Sequence, residues 1–358
     1  MFSIHRAALL LVLACLGGWP ALCGAAGDPA SAPIPDERRP FVALLVPLSS
    51  PVFAQPAQAV AQGCRAALTV DGGPLALQVS RTDATPATIL AAYRSAAERG
   101  AAVVVGPMTR DGVTALARSA LPGPPTLALN APESDTALPA RFVSFGLSAE
   151  SEARSTAQNA FASGVRSAAV VESNSALFKR VARAFADEWA LLGGNISEYL
   201  DSGADPNLLK QRMAHSRAGM VFLSGDAAEA RAARPYLNPK IPVYAISLVH
   251  GGHEDALSVV DLDGIRFVDM PWLVQLDHPA VMVYPRPETA SLEFQRFYAL
   301  GIDACRLAPL IAAGRDAVEL DGVTGRLRLA HGIVDREPVA AAFHAGSVVA
   351  VDVPEAPR

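Results

Sequence analysis

At 358 residues, with 51 % hydrophobic and 18 % charged residues, the chain is long enough for about two ordinary domains and too apolar to be disordered. Its net charge of -5, with Lys only at 179, 210 and 240, leaves no electrostatic footprint for nucleic acid. Four Cys, at 15, 23, 64 and 305, are too scattered for a zinc finger or an iron-sulfur run.

Met1 to Arg6 leads into an uncharged stretch, Ala7 to Gly27, interrupted by Gly17, Gly18 and Pro20. Residues 1–26 therefore read as a secretory signal, because the interruption leaves too short an apolar run for a spanning helix of about 20 residues. Val12-Leu13-Ala14-Cys15 resembles a bacterial lipobox, which would make Cys15 a lipidated N-terminus and the only membrane contact; cleavage after Ala25 or Ala26 is the competing reading. Residues 27–40, rich in Pro, form a linker. Export places Cys64 and Cys305 where a bond between them is allowed, and two buried free thiols fit the apolar flanks equally well.

Phe41 to Leu48 is a continuous apolar run ended by Ser49-Ser50-Pro51, the pattern of a strand covered on both faces. Helix 54–68, strand 75–80, helix 87–99, strand 101–105, helix 111–121 and strand 126–129 follow. The alternation restarts after 142–145 with helix 151–163, strand 168–171, helix 176–192, helix 205–215, strand 220–223, helix 227–236 and strand 243–246. A return helix spans 291–312, and hairpin-like strands lie at 325–329 and 347–351. Alternating strands and helices imply right-handed crossovers and parallel sheets. The expected fold class is α/β, as two lobes: residues 41–146 with 285–322, and residues 147–284 with 323–358.

Open α/β sheets bind small ligands at the carboxyl ends of their strands. Ser49, Ser50, Thr109, Asn130, Ser173, Asn174 and Ser247 fall at such ends and are the candidates for a cleft ligand, although solvated turns have the same composition. No Gly-x-Ser-x-Gly elbow, dinucleotide fingerprint or Gly-Lys-Ser/Thr loop occurs, so no catalytic residue and no cofactor is assigned. His250-Gly-Gly-His253-Glu254 lacks the rigid helical face of a catalytic zinc site, and no metal is assigned. Neighbouring acids such as Glu150 and Glu152 read as capping or solvated groups, with Ser148 starting their helix.

Several phrases, in order, resemble the envelope lipoproteins called penicillin-binding-protein activators: Gly106-Pro-Met-Thr-Arg-Asp-Gly-Val113, Leu127-Ala-Leu-Asn130, Leu147-Ser-Ala-Glu-Ser-Glu-Ala153, Asp263-Gly-Ile-Arg-Phe-Val-Asp-Met-Pro-Trp-Leu273, Phe297-Tyr-Ala-Leu-Gly-Ile-Asp303 and Leu320-Asp-Gly-Val-Thr-Gly325. The resemblance implies a two-lobed type I periplasmic-binding-protein fold in the periplasm. It also implies a non-catalytic protein that activates a class A penicillin-binding protein in peptidoglycan synthesis, with attachment to the outer membrane through Cys15. Longer members carry a helical-repeat domain where this chain has only residues 27–40. Amino-acid-binding relatives of the same fold place hydroxyl residues after the third and fourth strands; Thr109 fits that pattern and Asn130 departs from it. A solute-binding protein of an importer is the alternative. Trp272 is expected in a lobe core, Gly301 at a close packing contact and Asp303 in a buried hydrogen bond.

Overall fold

The computed structural model describes residues 39–133, 136–203, 205–251, 260–288 and 290–352, all within a unit that begins at Arg39. The signal, most of the linker, Cys15, His253 and Glu254 lie outside the described residues.

The first sheet has eight strands and the second seven. In the first, β1 (Phe41–Val46), β2 (Ala76–Arg81), β3 (Val103–Val105), β4 (Thr126–Ala128) and β5 (Phe142–Ser144) pair in parallel in the order β5-β4-β3-β1-β2. In the second, β6 (Ser167–Glu172), β7 (Asn195–Asp201), β8 (Met220–Ser224), β9 (Val243–Tyr244) and β10 (Arg266–Asp269) repeat that winding as β10-β9-β8-β6-β7. Each sheet is then extended at one side by strands antiparallel to one another. β11 (Val318–Asp321), β12 (Arg326–Ala330) and β13 (Ile333–Glu337) join the first through a parallel β13–β5 pairing, while β14 (Val339–His344) and β15 (Ser347–Ala350) join the second through an antiparallel β10–β14 pairing. Mainly parallel sheets flanked by helices are the expected fold class.

Local chemistry starts the helices where the sequence indicates. Thr85, Thr109, Ser148, Ser175 and Ser291 accept a backbone N–H at the starts of α2 (Pro86–Glu98), α3 (Arg110–Arg118), α4 (Ala149–Ala162), α5 (Ala176–Leu191) and the return helix Leu292–Ala312. Asp226 and Glu229 form a reciprocal capping box on Ala227–Ala233.

α1 (Ala54–Val70) packs on the return helix closely enough that their backbones meet. A Cβ on Gly63 would lie 1.9 Å from the Tyr298 carbonyl oxygen, and one on Gly301 would lie 2.1 Å from that of Val60. Cys64 and Cys305, beside this contact, are joined in a disulfide with Cα atoms 5.1 Å apart. Buried Asp303 accepts from Val323 N (3.0 Å), Thr324 N (2.8 Å) and Thr324 Oγ1 (2.7 Å). Burial pushes its pKa above the ordinary carboxylate value, against the pull of Thr324 and Arg306.

The crossings between sheets differ from the expected boundaries at 285 and 323. Met270, Trp272, Val281 and Tyr284 already belong to the core of the first lobe, so the chain returns there directly after β10. Trp272 is fully buried, stacked under Arg286 at 4.2 Å and donating to Gln295 Oε1 at 3.1 Å. The strands expected at 325–329 and 347–351 are not partners: the first is β12 in the first sheet, the second β15 in the second. The later crossing falls at Pro338, between β13 and β14, where the missing N–H cannot continue a ladder. β7, β11, β13 and β14 have no counterpart in the sequence reading: the first three carry polar residues on their exposed faces and lack a continuous apolar run, and β14 is apolar but built largely of Ala, a weak strand former.

Candidate functional site

Each sheet reverses its winding beside its first strand, between β1 and β3 and between β6 and β8, so the loops after these strands sit where a ligand crevice would form. Ser49, Ser50, Thr109, Ser173 and Asn174 occupy such loops, Asn130 and Ser247 follow the neighbouring strands β4 and β9, and most of the seven spend their polar groups locally. Ser50 Oγ accepts from Phe53 N at 3.3 Å in the turn ahead of α1, and Thr109 Oγ1 accepts from Gly112 N at 3.3 Å, capping α3. Asn130 donates to the Met108 carbonyl (3.2 Å) and accepts from Ala131 N (2.9 Å), tying the loops after β3 and β4 together. Ser173 is buried and donates to Glu229 Oε1, while Ser49 and Asn174 are exposed. Four cavities of about 140 to 610 Å³ are lined by none of these seven residues.

Ser247 alone enters a larger constellation, through its backbone. Its N–H donates to Glu152 Oε2 at 3.1 Å and its carbonyl accepts from Arg296 Nη2 at 3.1 Å. Glu152 comes from the first turn of α4, on the second sheet. Its other oxygen accepts from Arg336 Nη2 at 2.7 Å, and Arg336 belongs to β13 of the first sheet. Arg296, in the first turns of the return helix of the first lobe, donates to Asp269 Oδ2 at 2.8 Å at the end of β10 in the second sheet. His250 Nδ1 lies 3.2 Å from the same oxygen, and the His250 carbonyl also accepts from Arg296. Two buried ion pairs therefore cross from one lobe to the other.

Electrostatics fixes the charge state of the Asp269–Arg296 pair. Burial alone would raise the pKa of Asp269, but the Arg296 charge and the hydrogen bonds from His250 and Arg296 hold it below the ordinary carboxylate value. Burial would lower that of Arg296, yet Asp269 keeps it raised. These groups are held as permanent charges by one another, so the arrangement binds lobe to lobe rather than leaving a base poised for proton transfer.

Glu152 was expected to cap a helix or face solvent; the structure buries it as the centre of this network. Arg296 and Arg336 carry no motif, and Asp269 lies in the Asp263–Leu273 phrase without being singled out there. One signal was available for Arg336: it shares the inward face of β13 with Val334 at a spacing of two residues. Nothing local marks Asp269 as the partner of a side chain 27 residues away.

The sequence pattern of the LppC putative lipoprotein family matches residues 37–209 and 198–346. A relative named penicillin-binding protein activator LpoA, from Pasteurella multocida, is 25 % identical over 321 residues, covering 87 % of this chain and 55 % of that protein. This chain thus spans about half the length of that relative. Among solved structures, one described as a putative branched-chain amino acid ABC transporter from Chromobacterium violaceum is 35 % identical, with a TM-score of 0.73, covering 85 % of this chain and 99 % of that one. The C-domain of LpoA from Haemophilus influenzae, described as a regulator of PBP1A, is 22 % identical with a TM-score of 0.73, covering 87 % of this chain and all of that one.

Proposed function

This chain belongs to the LppC lipoprotein family, and on that premise we propose that it is an envelope protein that activates a class A penicillin-binding protein by surface contact. The observation that carries the reading is the pairing of Glu152 with Arg336 and of Asp269 with Arg296. Opening the lobes would separate two pairs of buried charges, each costing several kcal/mol to leave unpaired, so the two lobes act as one body with a fixed outer surface. Solute capture by hinge closure works against such a lock, whereas docking on a partner benefits from a surface that is already organised. Lipidation at Cys15 would hold the protein at the outer membrane, facing the periplasm.

The test is reconstitution. Mature protein added to the class A synthase of its own organism is expected to raise the glycosyltransferase or transpeptidase rate and to bind the synthase in the same concentration range. Absence of both effects overturns the reading. A second reading, a solute-binding component of an importer, is favoured by the Chromobacterium violaceum structure, and nanomolar binding of a metabolite to the isolated protein would select it.

A further inference from the structure

β2 closes one side of the first sheet, and nothing pairs with its outer side among the described residues. Its orientation can be read from its ladder. Ala76 N donates to the Pro40 carbonyl at 2.9 Å and Thr82 N to that of Val46 at 3.1 Å, so the even-numbered N–H groups face β1. The N–H and C=O groups of Leu77, Val79 and Arg81 therefore point away from the sheet. The other outermost strands are defended. β7 carries Glu198 and Asp201, β11 carries Glu319 and Asp321, and β15 is only four residues long. β2, with the sequence Ala-Leu-Gln-Val-Ser-Arg, has six residues and no carboxylate or proline.

A groove of about 500 Å³ runs beside it, between β2 and α1. Leu48, Ala61 and Val79 form its apolar floor, and Gln62, Arg65 and Arg81 stand at its walls; no carboxylate lines it. On the opposite face of β2, Arg99 reaches Gln78 Oε1 at 2.9 Å. A strand laid against β2 would thus have exposed guanidinium groups on both of its faces.

We propose that the β2 edge is a docking strand for an extended, acidic segment of a partner protein, added as a ninth strand of the first sheet. Main-chain hydrogen bonds to Leu77, Val79 and Arg81 supply the adhesion, the groove accepts apolar side chains at every second position, and the Arg residues select carboxylates. A second copy of this chain is a poor occupant, because β2 and the groove beside it carry no carboxylate to answer Arg65 and Arg81. The inference goes beyond the synthase reading, since it concerns the chemistry of the docked segment and not the identity of its owner.

The test uses the mature chain, isotope-labelled, and the peptide acetyl-Glu-Val-Glu-Val-Glu-Val-Glu-amide at up to millimolar concentration. Amide signals of Leu77, Val79 and Arg81 are expected to shift and their hydrogen exchange to slow, with no response to the matching Lys-Val peptide. Val79→Pro removes an outward N–H without touching the β1 ladder and should abolish binding. Arg99→Glu, at an exposed position on the face opposite the groove, where the Glu side chains lie once Val enters the groove, should weaken the acidic peptide about tenfold and admit the basic one. No response at these three amides, or equal response to both peptides, overturns the proposal. So does dimerisation of the chain alone that Val79→Pro abolishes, which would make a second copy the occupant.

Discussion

Arg336 in the first sheet donates to Glu152, on a helix packed against the second sheet, at 2.7 Å, with the two side chains 4 % and 8 % exposed. Further polar atoms of the pair are also used: Arg336 Nη1 donates to the Thr324 carbonyl at 3.2 Å, and Glu152 Oε2 receives the Ser247 N–H. A buried charge pair of this kind adds little net stability over an apolar pair of equal volume, but it is costly to break from one side.

Arg336→Met should accordingly destabilise the protein by about 3–5 kcal/mol, because Glu152 is left buried without the cation it faces. Arg336→Met combined with Glu152→Leu should recover part of that loss. Urea denaturation of the two single variants and the double variant measures the coupling, and strictly additive losses would show that the pair does not act as a unit.

Asp269 gives a pH signature with a defined sign. Its folded pKa lies below the ordinary value of 3.8, so its contribution is complete above that value and disappears as pH falls through the lower folded one. Asp269→Asn should cost about 3 kcal/mol near neutral pH by leaving Arg296 without its counter-charge. Thermal midpoints of wild type and variant, compared from pH 7 to pH 3, should converge on the acid side; a constant gap contradicts the assignment.

Gly301→Ala and Gly63→Ala place a methyl group inside the neighbouring helix backbone, at 2.1 Å from the Val60 oxygen and 1.9 Å from the Tyr298 oxygen. The helices must separate, and each variant should lose about 1–3 kcal/mol or more. Gly73→Ala meets nothing within 4 Å and should stay within about 0.5 kcal/mol of wild type. Chemical denaturation of the three variants checks the contrast.

The Cys64–Cys305 bond closes a sequence separation of 241 residues. Constraining so long an unfolded loop is worth about 5 kcal/mol on chain entropy alone, an upper figure, and about 2–4 kcal/mol is the usual yield. Replacing both Cys by Ala should lower stability within that range. Thiol titration of the exported protein under denaturant, without reductant, should find neither Cys64 nor Cys305 reactive.

The alternation of apolar strands and amphipathic helices, legible from Phe41 onward, was enough to predict parallel sheets in two lobes, because strands buried on both faces and Ser, Thr or Asp caps are local signals. The position of each candidate loop at a strand end was equally legible. What the side chains in those loops do was not. Thr109 and Ser50 look alike as ligand donors or as local cap and turn residues until the N–H groups of Gly112 and Phe53 are placed beside them.

Sequence by itself pointed to the fold class, through residue polarity and spacing along the chain, and raised the expectations of a buried Trp272 and a close contact at Gly301 that the structure then showed. Only tertiary structure decided that Pro338 separates the sheets, that Cys64 meets Cys305, and that Glu152 and Asp269 are buried opposite Arg336 and Arg296. Glu152 and Arg336 are 184 residues apart, and the attraction between two charges depends on their separation in space and the medium around them, neither of which is written in local order.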